Sequence, residues 1–191
     1  MSSLDRRTLA FVIPVKDGDR VYKLYVPMPS RNRVENIAPI LGHIFSVGES
    51  KKFSKAALLI VAKDYEYYAK EACQVNAKRI AVDELDVSRI ADELLGQFRD
   101  FLQAVISMAQ VVTEDGKLLT ILEAKLSEEA IEGAMGQLVF FYCIFHYASA
   151  MLTEASKKDL LGITSLTPTE YANTLQTLSS ETENVGARET Q

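Results

Sequence analysis

The run Gln137-Leu-Val-Phe-Phe-Tyr-Cys-Ile-Phe-His-Tyr-Ala-Ser-Ala-Met-Leu152 constrains this chain more than any other segment. Phe140, Phe141, Tyr142, Ile144, Phe145 and Tyr147 surround nearly the whole circumference of a helix drawn through it. A helix that is apolar all round must be buried, either at the centre of its own fold or against a partner. A membrane would also bury it, but a span needs roughly 18–20 apolar residues. Leu138 to Leu152 is shorter than that and carries His146 and Ser149. The segment is therefore read as a buried helix, with Ser127 as its N-cap and Glu128 and Glu129 in the first turn, where the helix dipole favours negative charge.

The rest of the chain has the means to bury such a helix. At 191 residues, 48% of them apolar, it has the size and composition of one globular domain. The N-terminus reads as a β-hairpin over residues 8–26. Thr8 to Ile13 is rich in β-formers, and Arg20 to Val26 alternates, with Val21, the stem of Lys23 and Tyr25 on one side and Tyr22, Leu24 and Val26 on the other. Asp17-Gly18-Asp19 supplies the turn. Pro14 and Pro27 point to edge strands or strand ends. A lone hairpin is marginal in water, so it must pack on helices or pair with further strands.

Helical periodicity takes over from Arg31, after the N-cap Ser30, with Val34, Ile37, Ile40, Leu41, Ile44 and Phe45 on one face. Pro39 is expected to kink or split this helix, and Val47 to Ser50 to end it. A second helix is expected from Ser54 to about Ala77. A third starts near Asp86, taken as its N-cap, and carries Val87, Ile90, Leu94, Phe98, Phe101, Leu102, Val105, Ile106 and Ala109 at core spacing. Glu114 to Lys117 is a tight turn, and Leu118 to Leu122 fits a short strand or a helical turn equally. Thr167 as N-cap, Pro168 at the first helical position and Glu170 two residues later form a capping box; Leu166 and Tyr171 are spaced as a hydrophobic staple. This helix runs to about Leu178. Ser179 to Gln191 is too polar to bury itself and is expected to be disordered. The expected architecture is α+β and mostly α: a small N-terminal antiparallel β-hairpin, a compact bundle-like helical body over 31–178, and a tail over 179–191.

Signs of chemistry are sparse. Cys73 and Cys143 lie far apart in apolar segments and read as reduced core thiols, which fits a reducing cytoplasm. No secretory signal pattern is read at Met1 to Arg7. His43 and His146 are separated from each other and from both cysteines, so no metal-ligand spacing arises and no metal or cofactor is expected. Neither a nucleophile elbow nor a phosphate-cradling loop is written in the chain, and no enzyme activity is expected. The Lys51–Arg79 segment, with Tyr65, Tyr67 and Tyr68, offers charge and stacking to nucleic acid. Asp64, Glu66 and Glu71 interrupt it, and the net charge of −5 also weighs against that partner.

The order of parts at the C-terminus resembles the tail assembly chaperones of long-tailed bacteriophages. An aromatic-rich helix (Leu138–Tyr147) is followed by a Ser-Leu-[Ser/Thr]-x-x-Glu-aromatic segment (Ser165-Leu166-Thr167-Pro168-Thr169-Glu170-Tyr171) and then by the polar tail. The similarity is confined to the C-terminal third. It implies a non-enzymatic protein of the host cell cytoplasm that binds the long, apolar, helical tape measure protein and keeps it soluble. It also implies that tail tube protein polymerises around that complex and that the chaperone is absent from the finished virion; many members of that group are also made in a longer form by translational frameshifting. Phe140, Phe141, Phe145, Tyr147, Leu166 and Tyr171 are the residues expected to contact a partner, and self-association is open. Two further readings stand beside this one: a structural or adaptor protein retained in a phage or bacterial assembly, and a small helical nucleic-acid-binding regulator.

Overall fold

A computed structural model describes residues 10–50, 63–143, 163–164 and 166–176. In chain order the elements are β1 (Ala10–Asp17), β2 (Arg20–Pro27), α1 (Arg31–Ser50), α2 (Tyr65–Ile80), α3 (Glu84–Ser107), β3 (Gln110–Val112), β4 (Leu118–Thr120), α4 (Ile121–Ala124), α5 (Glu128–Cys143) and β5 (Ile163–Thr164). A last helix, α6, spans 168–176. The protein is α+β and mostly α, as its periodicity predicts.

The expected hairpin is present, and Asp17 pairs with Arg20 across a turn in which Gly18 takes φ +60°. It is not alone. β3 and β4 extend it on one side and β5 on the other, giving a five-stranded antiparallel sheet in the order β4-β3-β2-β1-β5. Three short strands from residues 110–164 complete the sheet beside the mostly helical body. Pairing answers the physical weakness of an isolated hairpin. Pro14 lies inside β1 rather than at its end. Among the described residues β5 pairs with Ala10 and Phe11 and does not reach Pro14, a place where a missing N–H is tolerated.

The alternation in β2 sorts the two faces of the sheet as expected. Leu24 and Val26 are fully buried beside Phe11, Ile13, Val15 and Val111 on the helix-facing side. Tyr25 points the other way, into a smaller cluster with Ala10, Val112 and Ala172. On the helical side α2 and α3 form the closest helix pair, α1 packs on α2, and α5 lies against β1, α1 and α3.

Local expectations meet three corrections. Helix α1 buries Ile37, Ile40, Leu41 and Ile44, but it continues through Val47 to Ser50 with Pro39 inside. Packing of this apolar face compensates for the hydrogen bond that proline removes. The N-cap of α3 is Asp83, whose carboxylate accepts from the Asp86 N–H at 3.0 Å; Asp86 stands within the first turn. Leu118 to Leu122 is both a strand and a helical turn: β4 ends at Thr120, which caps α4 through a reciprocal box with Glu123. The expected second helix is described only from Tyr65 onward, and it runs to Ile80. The tail over 179–191 lies outside the described residues.

Candidate functional site

The aromatic helix begins where its sequence says it should. Ser127 Oγ accepts from the Ala130 N–H at 3.2 Å. The same serine is held by Asp17 in the hairpin turn, which accepts from Ser127 N (3.1 Å) and Ser127 Oγ (2.8 Å). The start of α5 is thereby tied to the sheet. Gln137 adds a second tie, its Nε2 donating to the Pro14 carbonyl at 3.2 Å.

From Leu138 to Cys143 every residue of α5 is buried. Phe141 stacks on Phe11 at 5.2 Å between ring centroids, while Tyr142 meets Phe11 and Phe101 edge-on at 5.5 and 5.6 Å. Phe140 packs against Phe141 at 5.6 Å. Phe140 and Phe141, expected at a partner surface, are 4% and 8% exposed and serve the chain's own core. The sheet on one side and α1 and α3 on the others supply enough apolar surface to enclose the helix here. Phe145, Tyr147 and His146 lie outside the described residues.

The capped segment forms a separate structure on the opposite face of the sheet. The Glu170 carboxylate accepts from Thr167 N (2.8 Å) and Thr167 Oγ1 (2.9 Å), and the Glu170 N–H donates to Thr167 Oγ1 at 3.3 Å. The box read from the sequence is complete. It directs α6 onto the sheet, where Ala172 is buried and Tyr171 and Leu175 pack at the rim of the small outer cluster. Leu166 and Tyr171 are both half-buried. The Tyr25 hydroxyl donates to the Leu166 carbonyl. The Tyr25 and Tyr171 rings lie 6.2 Å apart, and Lys23 Nζ sits 5.9 Å from the centre of the Tyr171 ring. Burial, reinforced by the nearby Glu170 charge, pushes the Tyr25 phenol above its ordinary value, so it remains a donor.

The β3–β4 turn completes this seat. Gly116 takes φ +73°, and its carbonyl accepts from Gln176 Nε2 at 3.3 Å. A Cβ there would stand 2.8 Å from the Ala172 carbonyl oxygen and 2.5 Å from Gln176 Cγ. Glycine at this turn serves the close approach of α6 as well as the left-handed backbone. The sequence placed Lys23 and Tyr25 only on a strand face and Gly116 only in a turn, and it did not join them, or Gln176, into one seat. The apolar outward positions Ala10, Val12 and Tyr25 were the available signal, because a strand end apolar on both faces needs covering on both.

The remaining candidates resolve as follows. Cys73 and Cys143 are free and fully buried, and desolvation pushes their thiols up to about 11 and about 12, far from a reactive thiolate. His43 lies with Nε2 3.8 Å from Glu71 Oε2, an approach between α1 and α2 that spacing did not reveal. Among the described residues, no group of three or more His, Cys, Asp or Glu side chains is placed to hold a metal ion. No described helix is long and apolar enough to cross a membrane. In the basic segment, Lys51, Lys52 and Lys55 lie outside the described residues. Tyr65 is buried against Phe98, whereas Tyr67 is exposed and meets Tyr68 edge-on. Glu66 pairs with Arg99 at 3.1 Å. The three tyrosines thus do not form one stacking platform. No family model matches this chain, and comparison with curated proteins and with solved structures found no match.

Proposed function

We propose that the chain is a non-enzymatic assembly chaperone of long-tailed bacteriophage tails, binding the tape measure protein in the host cytoplasm and promoting polymerisation of tail tube protein around it. The observation that carries this reading is the form of the segment on which the resemblance rests. Leu166 to Tyr171 leads into a capped helix seated on the outer face of the sheet, apart from the buried part of the aromatic helix over 138–143. A capped segment at the surface beside a buried aromatic helix is the arrangement this reading calls for.

In this reading the contact with the tape measure protein is made by the half-buried Leu166 and Tyr171 together with Phe145 and Tyr147. Phe140 and Phe141 belong to the core. An aromatic side chain suits such a role because it offers a large, adaptable contact area to any apolar helix. Co-expression with a tape measure protein is the direct test. The proposal requires a soluble complex that co-purifies, and a tape measure protein that stays insoluble and uncomplexed would refute it. Mass spectrometry of purified particles separates the chaperone, which is absent from them, from a structural protein that stays.

A further inference from the structure

We propose that the groove between α2 and α3 is a homodimer interface, occupied by the same groove of a second copy about a two-fold axis running along it. One side of the α2–α3 pair is committed to the chain's own core through Ala69, Ala72 and Cys73 of α2 and Phe98, Phe101 and Leu102 of α3. Beside it runs a groove lined on α3 by the half-buried Val87 and by Ala91 and Leu95, whose side chains also belong to the core. Its walls differ in sign. Lys70 and Lys78 stand on the α2 side, Glu84 and Asp92 on the α3 side. All four are exposed, and none is ion-paired among the described residues.

This polarity selects one symmetry operator. An axis along the groove lays α2 of one copy over α3 of the other, so each lysine wall meets a carboxylate wall. An axis across the groove would lay lysines on lysines and carboxylates on carboxylates, which is repulsive. The register agrees as well. The short connection between the two helices makes them antiparallel neighbours. Lys78 and Glu84 are four and two residues from Val82 at its centre, and Lys70 and Asp92 are twelve and ten. With the axis along the groove, Lys78 of one copy is level with Glu84 of the other, and Lys70 with Asp92. A contact of this kind is isologous and closes on itself, as the interface of a two-fold dimer must. The product is a four-helix bundle in which the two grooves face each other and their charged walls pair.

The connection between the helices supplies an independent indication. Ile80, Val82 and Leu85 are 65%, 98% and 88% exposed, so three aliphatic side chains cluster where the chain's own core has no use for them. The same axis brings the two connections together and removes this apolar surface from water, which is favourable. Dimerisation through this surface does not depend on the chaperone reading, since α6 and the outer face of the sheet take no part in it.

The test is analytical ultracentrifugation of the full chain over a micromolar concentration series. The wild type is expected to reach a dimer. Lys70→Glu with Lys78→Glu, or Glu84→Lys with Asp92→Lys, makes both facing walls alike in charge and raises the dimer dissociation constant roughly tenfold or more. Mixing the two double variants makes every facing pair opposite again and restores a dimer, a rescue that misfolded variants could not give. Circular dichroism of each variant alone checks that its helices are intact. A wild type that stays monomeric, an oligomer indifferent to both reversals, or a mixture that fails to associate would each overturn the proposal.

Discussion

The two faces of the sheet are covered in different ways. On the inner face, Phe11, Ile13, Leu24 and Val26 meet α5 within a core that also takes in α1, α2 and α3. On the outer face, Ala10, Tyr25, Val112 and Ala172 form a small cluster among the described residues, with Val12, Leu118, Tyr171 and Leu175 packed at its rim. The inner contact rests on buried area, and its aromatic rings stack on one another. The outer contact rests on local devices: a capping box, a hydroxyl on a carbonyl, a glycine turn, and a lysine near a ring. Area-driven packing is cooperative and unfolds with the whole domain, whereas a helix held by a few local bonds can open by itself. The difference predicts a stable body carrying a C-terminal helix of lower local stability, and each substitution below tests one side of that contrast.

The largest effect belongs to the inner face. Phe141→Ala removes a ring stacked on Phe11 and leaves a cavity, at an expected cost of about 3–5 kcal/mol. Chemical denaturation should show one cooperative transition moved to lower denaturant. If only the C-terminal helix loosened, the assignment of Phe141 to the central core would be wrong. Gly116→Ala acts on the outer face, forcing a side chain into a left-handed backbone position and against the Ala172 carbonyl. A cost of about 1–3 kcal/mol is expected. Hydrogen exchange should accelerate over 168–176 and in the β3–β4 turn while amides of α3 and α5 keep their protection.

Thr167→Ala is a milder break of the same seat. It removes the side chain that accepts from Glu170 N and should cost about 1 kcal/mol. Hydrogen exchange would again report it, confined to α6; equal acceleration throughout the domain would mean the two faces are not separable. The smallest effect sharpens the inner side. Tyr142 is 1% exposed and its hydroxyl lacks a hydrogen-bond partner among the described residues. Tyr142→Phe removes a buried polar group that has lost its water, so stability should hold or rise by up to about 1 kcal/mol. A clear loss in a thermal melt would reveal a partner for that hydroxyl.

The contrast also explains how far the chain could be read in advance. The turns at Gly18 and Gly116, the cap at Ser127 and the box at Thr167 and Glu170 depend on residues close together in sequence, and all were legible. The core stripe of α3 was legible too, because helical periodicity repeats over many residues. Asp83 was missed as the α3 cap because Asp86 carries the same side chain in the same stretch. β5 was missed altogether: a two-residue strand has no period of its own, and Ala10 and Phe11 select it from far along the chain. The seat of α6 was missed for a related reason, since Tyr25 and Gly116 come together only when β2 and β3 pair.

The sequence by itself determined that residues 138–143 had to be buried and that a capped helix had to start at Thr167. Both follow from side-chain chemistry and short-range geometry, which need no knowledge of the rest of the fold. Only the tertiary structure decided what each is buried against. Phe140 and Phe141 turn inward because β1, α1 and α3 together enclose α5, whereas Tyr171 stops at the rim of a small cluster because, among the described residues, α6 is the one helix on the outer face of the sheet. Burial is a demand that a segment makes alone, but how it is met depends on which surfaces long-range pairing brings within reach.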